Sequence, residues 1–201
     1  TRVILRGETI VVATGASPSR PPDVPFDREC VFDSDTILKL PRMPRSMIVL
    51  GAGVIGIEYA AIFAALGLEV TLVDTRDELL PYLDREIAHR LEQELRHLGI
   101  VILHNDRHRT ITRLDGEPPR VRCATVGGNT LEADILLYCV GRNGNSNDLG
   151  LEELGIRPDD RGLLEVNEYY QTAVPHIYAV GDVIGYPALA STSMEQGRQA
   201  I

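Results

Sequence analysis

Cysteine is scarce: the 201 residues hold three, Cys30, Cys123 and Cys139, and no two stand at C-x-x-C or C-x-x-x-x-C spacing. That leaves no disulfide framework, and such usage suits a reducing, cytoplasmic setting. Cys139 falls inside an apolar run and reads as a small core residue. Metal-ligand spacing is missing too. His104 and His108 are four apart, but a strand-to-loop change falls between them, so no metal site is expected. There is no basic run, and the formal net charge is −9, which argues against nucleic acid as a partner. Long hydrophobic runs are absent. The most apolar region, Met47 to Val73, is broken by Glu58, Glu69 and several glycines, short of the roughly 18 apolar residues that a membrane span needs. No signal peptide is visible. The chain opens at Thr1 and stops at Ile201 inside a helical pattern, so it is expected to be a piece of a longer polypeptide.

What is present fits an ordinary globular composition, 44% hydrophobic and 24% charged, long enough to bury a real core. One stretch organises it. Ser46-Met47-Ile48-Val49-Leu50 reads as a buried parallel strand. Gly51-Ala52-Gly53-Val54-Ile55-Gly56-Ile57-Glu58 follows and opens a helix from about Val54 to Leu66. Glu69 to Val73 is the next strand, and it ends in Asp74. Strand, G-x-G-x-x-G, helix, strand and acid, the acid about 20 residues on, is the dinucleotide-binding fingerprint in its proper context. Gly51 can take the tight turn, Gly53 lets a pyrophosphate approach the backbone, and Gly56 lets the helix lie close to the sheet. The N–H groups and dipole of the helix start favour phosphate. The bland alternative is a glycine-rich turn that binds nothing.

In chain order, Thr9 to Thr14 is a β-rich run, and Gly15-Ala16-Ser17-Pro18 is expected to turn the chain. Ser19 to Pro25 reads as an extended linker. Asp33 to Thr36 offer N-caps for a short helix, Ile37 to Leu40, stopped by Pro41. Pro41 and Pro44 mark the expected domain boundary. In the fingerprint helix, Ile55, Tyr59, Ile62 and Leu66 recur at helical spacing beside a small-residue stripe of Gly56, Ala60 and Ala64. Asp84 can cap a helix with Ile87, Leu91, Leu95 and Leu98 on one face, and Ile100 to Leu103 return as a third parallel strand. Arg109 to Glu132 read as antiparallel strands. Asp134 to Val140 is a buried strand running into Gly141. The fold class is therefore α/β, a Rossmann-type parallel sheet with an antiparallel β-meander. Near the end, Pro175 to Val180 form a buried strand ending in Gly181-Asp182, with Ala188-Leu189-Ala190-Ser191 and a helix beyond. The carboxylate could accept from a polyol or merely cap a loop.

Ala13-Thr14-Gly15, the Gly51 to Glu58 fingerprint, Val140-Gly141-Arg142 and Thr172 through Asp182 together resemble the flavoprotein reductases built on two dinucleotide folds. Thr75 to Leu80, Leu136-Leu137-Tyr138, Tyr169 to Thr172 and Val183 to Pro187 are similar to the branch that passes hydride between the two nicotinamide coenzymes. The resemblance covers essentially the whole chain. It implies FAD, NAD and NADP as cofactors, with residues 1–41 and 146–201 as parts of an FAD domain and 42–145 as an NAD(P) domain. It implies that Gly51 to Gly56 hold the NAD(P) pyrophosphate, Asp74 the adenosine ribose, and Gly141 the backbone near the nicotinamide half. Glu58 would meet the nicotinamide amide; its alternative is a carboxylate stabilised by the helix start. Thr14 and Gly15 resemble the turn near the flavin nucleotide, Asp182 the acid on the ribityl chain, and Ala188 to Ser191, with Ala190, the segment along the flavin ring. Arg76 could swing onto a 2′-phosphate, or be a solvated charge paired with Asp77.

The activity implied is FAD-dependent hydride transfer from NADPH to NAD⁺, with no acid, base or disulfide of these residues required. A homo-oligomer is expected through a domain outside the chain. A disulfide reductase of the same family would need a cysteine pair upstream. A non-catalytic nucleotide sensor would not need the Asp182 motif.

Overall fold

The computed structural model describes residues 3–201. In chain order its strands are β1 (Ile10–Val12), β2 (Ala16–Pro18), β3 (Val31–Asp33), β4 (Ser46–Leu50), β5 (Glu69–Val73), β6 (Val101–Leu103), β7 (His108–Leu114), β8 (Arg120–Thr125), β9 (Thr130–Ala133), β10 (Ile135–Tyr138), β11 (Arg142–Gly144) and β12 (Ile177–Ala179). Its helices are α1 (Val54–Ala65), α2 (Arg85–His97) and α3 (Ala190–Ala200). None among the described residues is long and apolar enough to cross a membrane. The chain forms two compact units, Pro18–Gly141 and the stretch up to Ser17 joined with Arg142–Ile201. The break expected at Pro41 and Pro44 therefore falls inside the first of these. The reason is β3, which pairs in parallel with β10 and so belongs to the main sheet.

Within Pro18–Gly141 five parallel strands lie in the order β3-β10-β4-β5-β6. The sequence alternates across this sheet as a two-sided parallel sheet demands. Met47, Val49, Val70, Leu72, Ile135 and Leu137 point to one face, against α1 and α2. Ile48, Leu50, Val73, Leu136 and Tyr138 point to the other. There the antiparallel meander β7-β8-β9 covers them with Ile111, Val121, Cys123 and Ala133.

The small-residue side of α1 meets the sheet as expected, whereas both long helices leave part of their expected apolar stripes exposed. In α1 the buried residues are Gly56, Ile57, Ala60 and Phe63, while Ile62 and Leu66 are 51% and 59% exposed. This helix is apolar nearly all round, so periodicity alone could not choose its face. The small residues decide it, because only their side lets the backbone approach the sheet. In α2, Ala88 and Leu95 are buried and Leu91 packs beside them, leaving Ile87 and Leu98 exposed. Asp84 caps this helix as expected, accepting from the Glu86 N–H at 2.9 Å. Near Pro41 the chain makes a 3-10 turn over Ile37–Lys39 without a side-chain cap. Asp33 instead accepts from the N–H groups of Asp35 and Thr36.

In the other unit β1 pairs in parallel with β12, and β2 lies hydrogen-bonded beside β11. Ala16–Pro18 is thus a short strand rather than the expected turn, because β11 offers it a pairing partner that its proline-flanked sequence does not reveal. A separate core of Val12, Leu151, Ile156, Leu164, Ile177, Ala179 and Val183 fills this unit.

Gly56 tests the helix–sheet contact. A Cβ there would stand 1.9 Å from the Gly51 carbonyl oxygen. Gly56→Ala should therefore destabilise by about 1–3 kcal/mol, the range for overpacking, although alanine is the better helix former by roughly 0.5–1 kcal/mol. Chemical denaturation followed by circular dichroism checks this; unchanged or raised stability would show that the contact is not limiting.

Candidate functional site

The site sits at the carboxyl ends of the parallel strands, where β4 lies between β10 on one side and β5 on the other. The chain leaves β4 in one direction and returns in the other. Such a switch point opens a crevice in any open α/β sheet. A cleft of about 300 Å³ occupies it, lined among others by Gly51, Gly53, Asp74, Arg76, Arg107 and Gly141.

The three fingerprint glycines have different reasons to be glycine. Gly51 has φ +98°, and a Cβ on it would meet the Cys139 carbonyl oxygen at 3.0 Å. Its N–H donates to the Val73 carbonyl at 2.8 Å, carrying the β4–β5 pairing into the turn. Gly56 is fixed by packing, as above. Gly53 is not fixed by the protein. Its φ of −75° and ψ of 179° suit any residue, and nothing lies within 4 Å of the place its Cβ would take. It also forgoes a capping side chain at the start of α1, where asparagine, aspartate or serine would be preferred.

Asp74 is 5% exposed. One carboxylate oxygen accepts from the Ala52 N–H at 2.5 Å and from Arg76 Nη2 at 2.8 Å. The other accepts from the Arg76 backbone N–H at 2.9 Å and from Arg76 Nε at 2.8 Å. Burial alone would raise this acid, but the bonds from Arg76 and Ala52 overcome it and hold its pKa below the usual carboxylate value. The side-chain bonds to Asp74 in turn push the Arg76 guanidinium up from its usual value. Arg76 thus pairs with Asp74, not with Asp77. Cys139 lies beside the cleft, its thiol pushed up to about 12 by burial. It stays protonated at neutral pH and offers no thiolate nucleophile.

Of the residues singled out from sequence, Gly51, Gly53, Asp74, Arg76 and Gly141 line this one cleft. The Ala52 N–H is turned onto Asp74. Val54, Ile55, Gly56 and Glu58 belong to the first turns of α1. None of these four lines the cleft. Glu58 is exposed. Sequence reasoning missed Asp106, Arg107 and His108, which follow β6 and close the far wall. Asp106 is buried and accepts from the N–H groups of Arg107 and Gly127, both at 2.8 Å, and from Asn129 Nδ2 at 3.0 Å. Their position just past a parallel strand was the available signal.

In the other unit, Thr14 and Gly15 follow β1, and Gly181-Asp182 follow its parallel partner β12. The two turns therefore meet at the same strand ends. Asn145 fixes the first, its Nδ2 donating to the Thr14 carbonyl at 3.0 Å and its N–H to the Gly15 carbonyl at 2.9 Å. Gln196 fixes the second, its buried Oε1 accepting from the Gly181 N–H at 2.7 Å. Ala190 is the exposed first residue of α3.

The family model described as pyridine nucleotide-disulphide oxidoreductase matches residues 3–197. The chain belongs to that family. Soluble pyridine nucleotide transhydrogenases from Yersinia enterocolitica and Yersinia pestis are each 49% identical over 196 residues, 98% of this chain and 41% of theirs. Among solved structures, LpdA from Mycobacterium tuberculosis matches with a TM-score of 0.87 at 35% identity, covering 96% of this chain and 41% of that one. The HOCl-induced flavoprotein disulfide reductase RclA from Escherichia coli matches with a TM-score of 0.85 at 32% identity, covering 96% of this chain and 44% of that one. This pyridine nucleotide-disulphide oxidoreductase chain therefore spans about two fifths of the length of the relatives it matches.

The Asp74 bonds fix a pH dependence. An acid whose pKa is depressed on folding stabilises the fold above its unfolded pKa, and the effect is lost as pH falls through the folded value. Asp74→Asn should therefore be less stable than the wild type at pH 5–8, and the gap should close progressively below about pH 4. Paired denaturation curves across pH measure this. A gap that stays constant down to pH 2 would remove the charge on Asp74 as its source.

Proposed function

We propose that Pro18–Gly141 binds the nicotinamide coenzyme and that the intact protein passes hydride from NADPH to NAD⁺ by way of FAD. Gly53 is the observation that carries coenzyme binding. Neither its backbone angles nor its neighbours require glycine, and its N-cap position would favour a polar side chain. A ligand that must touch the backbone there supplies the missing reason. Phosphate at the start of α1 has the right charge for the free N–H groups and the helix dipole. The transhydrogenase reading is supported by the 49% identity to enzymes so named, against 32–35% for LpdA and the RclA reductase among the solved neighbours.

The residues fit both cofactors in kind. Gly51 to Gly56 would hold the coenzyme pyrophosphate, Asp74 and Arg76 its adenosine end, and Gly141 its nicotinamide half. Glu58 is assigned to the nicotinamide amide by resemblance. In the other unit, Thr14 and Gly15 would meet the flavin nucleotide, and the half-buried Asp182 the ribityl chain. Ala190 would run along the ring. Bound FAD supplies the hydride acceptor and donor. The chain's own part is to bind, orient and exclude water. In this reading the regions flanking the coenzyme domain belong to an FAD domain, and the protein is cytoplasmic and homo-oligomeric.

Gly53→Thr tests coenzyme binding without confounding it. Threonine caps a helix about as well as glycine, so stability should stay within about 0.5 kcal/mol of wild type. Binding of NADH and NADPH, followed by fluorescence titration, should weaken at least about tenfold, since charged contacts to the backbone contribute roughly 1.5–3 kcal/mol. Unchanged binding of both would mean that Gly53 does not face the coenzyme. In a polypeptide of the relatives' full length, NADPH-driven reduction of an NAD⁺ analogue separates the transhydrogenase from a reductase that acts only on a disulfide.

A further inference from the structure

We propose that Gln196 is a positioning residue for the flavin site: through the Gly181 N–H it fixes the turn that presents the Asp182 carboxylate. This rests on the reading of Asp182 as the acid that meets the ribityl chain. Gln196 lies on the inner face of α3, where only it and Ala200 are buried. It is 7% exposed. A buried amide is costly unless hydrogen-bonded, so an apolar side chain would serve helix packing better. What the chain gains from the amide is the bond from the Gly181 N–H to Oε1 at 2.7 Å. That bond is needed because the sheet runs out. Val180 donates to the Val12 carbonyl at 3.0 Å, on the β1 side of β12, and Ala179 donates to the Tyr170 carbonyl at 3.0 Å on the other side. Gly181 turns to the same side as Ala179, where β12 has only a single bridge, between Tyr178 and Gln171. Gln196 supplies the acceptor in place of a further strand. Gly181 also has φ +77°, and a Cβ on it would meet Ser193 Oγ at 3.3 Å. The turn is thus both pressed against α3 and tied to it.

Asp182 is the residue this arrangement serves. Asp33, Asp74 and Asp106 all spend their carboxylates on N–H groups of the chain itself. Asp182 is half-buried, yet its carboxylate accepts no hydrogen bond from the described residues. Its backbone is held instead: the Asp182 carbonyl accepts from the Gly185 N–H at 3.1 Å, across the short 3-10 turn Gly181–Ile184. A carboxylate left free by its own chain, on a backbone fixed just before it by Gln196 and just after it by Gly185, is an acceptor prepared for hydroxyl groups. Ordering it in advance spares the ligand the cost of doing so.

The experiment combines two readouts, neither of them turnover. In the 201-residue chain, Gln196→Leu keeps the volume and removes the acceptor. Hydrogen exchange at the Gly181 amide should rise by about tenfold or more, with circular dichroism showing the helices intact. In a polypeptide of the relatives' full length, stripped of flavin and titrated with FAD, Gln196→Leu should weaken FAD by about tenfold. Gln196→Glu, which keeps an acceptor at the same reach, should recover most of that affinity. In an Asp182→Ala background, Gln196→Leu should cost less than about twofold, because it acts through Asp182. An equal loss from Gln196→Leu in both backgrounds would reduce Gln196 to a general support of the fold. Unchanged FAD affinity in Gln196→Leu with the Gly181 amide exchanging freely, or a Gln196→Glu as weak as Gln196→Leu, would also overturn the positioning role. FAD affinity unmoved by Asp182→Ala alone would instead overturn the reading of Asp182, and the role of Gln196 with it. Should Gln196→Leu fail to fold, Gln196→Met, which is unbranched and adapts to irregular space, takes its place with the same outcomes required.

Discussion

The carboxylate of Asp74 is the tie on which the cleft depends. Through Ala52 it holds the glycine turn that leaves β4. Through the Arg76 backbone it bends the chain out of β5. The Asp74 backbone carbonyl accepts the Asp106 N–H at 2.9 Å, which brings in the exit of β6. Three adjacent strands of the sheet thus have their carboxyl ends laced together at one residue. The Asp106 carboxylate extends the lacing to the turn between β8 and β9. A buried carboxylate is costly unless its lone pairs are filled, and here they are filled from within the chain. The acid is first a structural part. Any role toward a ligand must be taken from a group already in use.

The glycines show the same sorting of structure from function. A fingerprint read from sequence treats its three glycines as equals. In three dimensions two of them are demanded by the chain, one by a positive φ and a carbonyl at 3.0 Å, the other by a backbone oxygen at 1.9 Å. A protein that bound nothing would still need both. Only Gly53 is left without an internal cause, so its side of the cleft says most about a ligand.

The parallel sheet, the meander and the glycine turn were legible in the sequence because each rests on a local rule. Alternation marks a two-sided strand, a strand followed by G-x-G-x-x-G marks the turn, and Asp84 marks a helix start. What was not legible depends on partners far along the chain. The small-residue stripe marks one side of α1, but the exposure of Ile62 and Leu66 is set by the sheet, since they are as apolar as the buried Ile57 and Phe63. Val31–Asp33 joins the main sheet only because β10 lies beside it, a pairing more than a hundred residues distant. Ala16–Pro18 becomes a strand for the same kind of reason. Asp106 carries no motif at all; only the position of β6 in the sheet brings it to the cleft. The parallel pairing of β1 with β12, which brings Thr14 and Asp182 to one end, likewise joins segments far apart in the chain.

Charge closes the account of the cleft. The chain carries a formal −9, so its long-range field would oppose an anion such as the coenzyme proposed for the cleft. At physiological ionic strength that field fades over roughly 8 Å, which leaves the decision to groups in contact. Arg76 and Arg107 line the cleft beside Gly53 at the start of α1, set in a wall whose acids, Asp74 and Asp106, are both buried and bonded inward. Turning the acids inward and the arginines outward lets an acidic protein present a locally cationic pocket. The forked pair of Arg76 and Asp74 is the smallest instance of that arrangement.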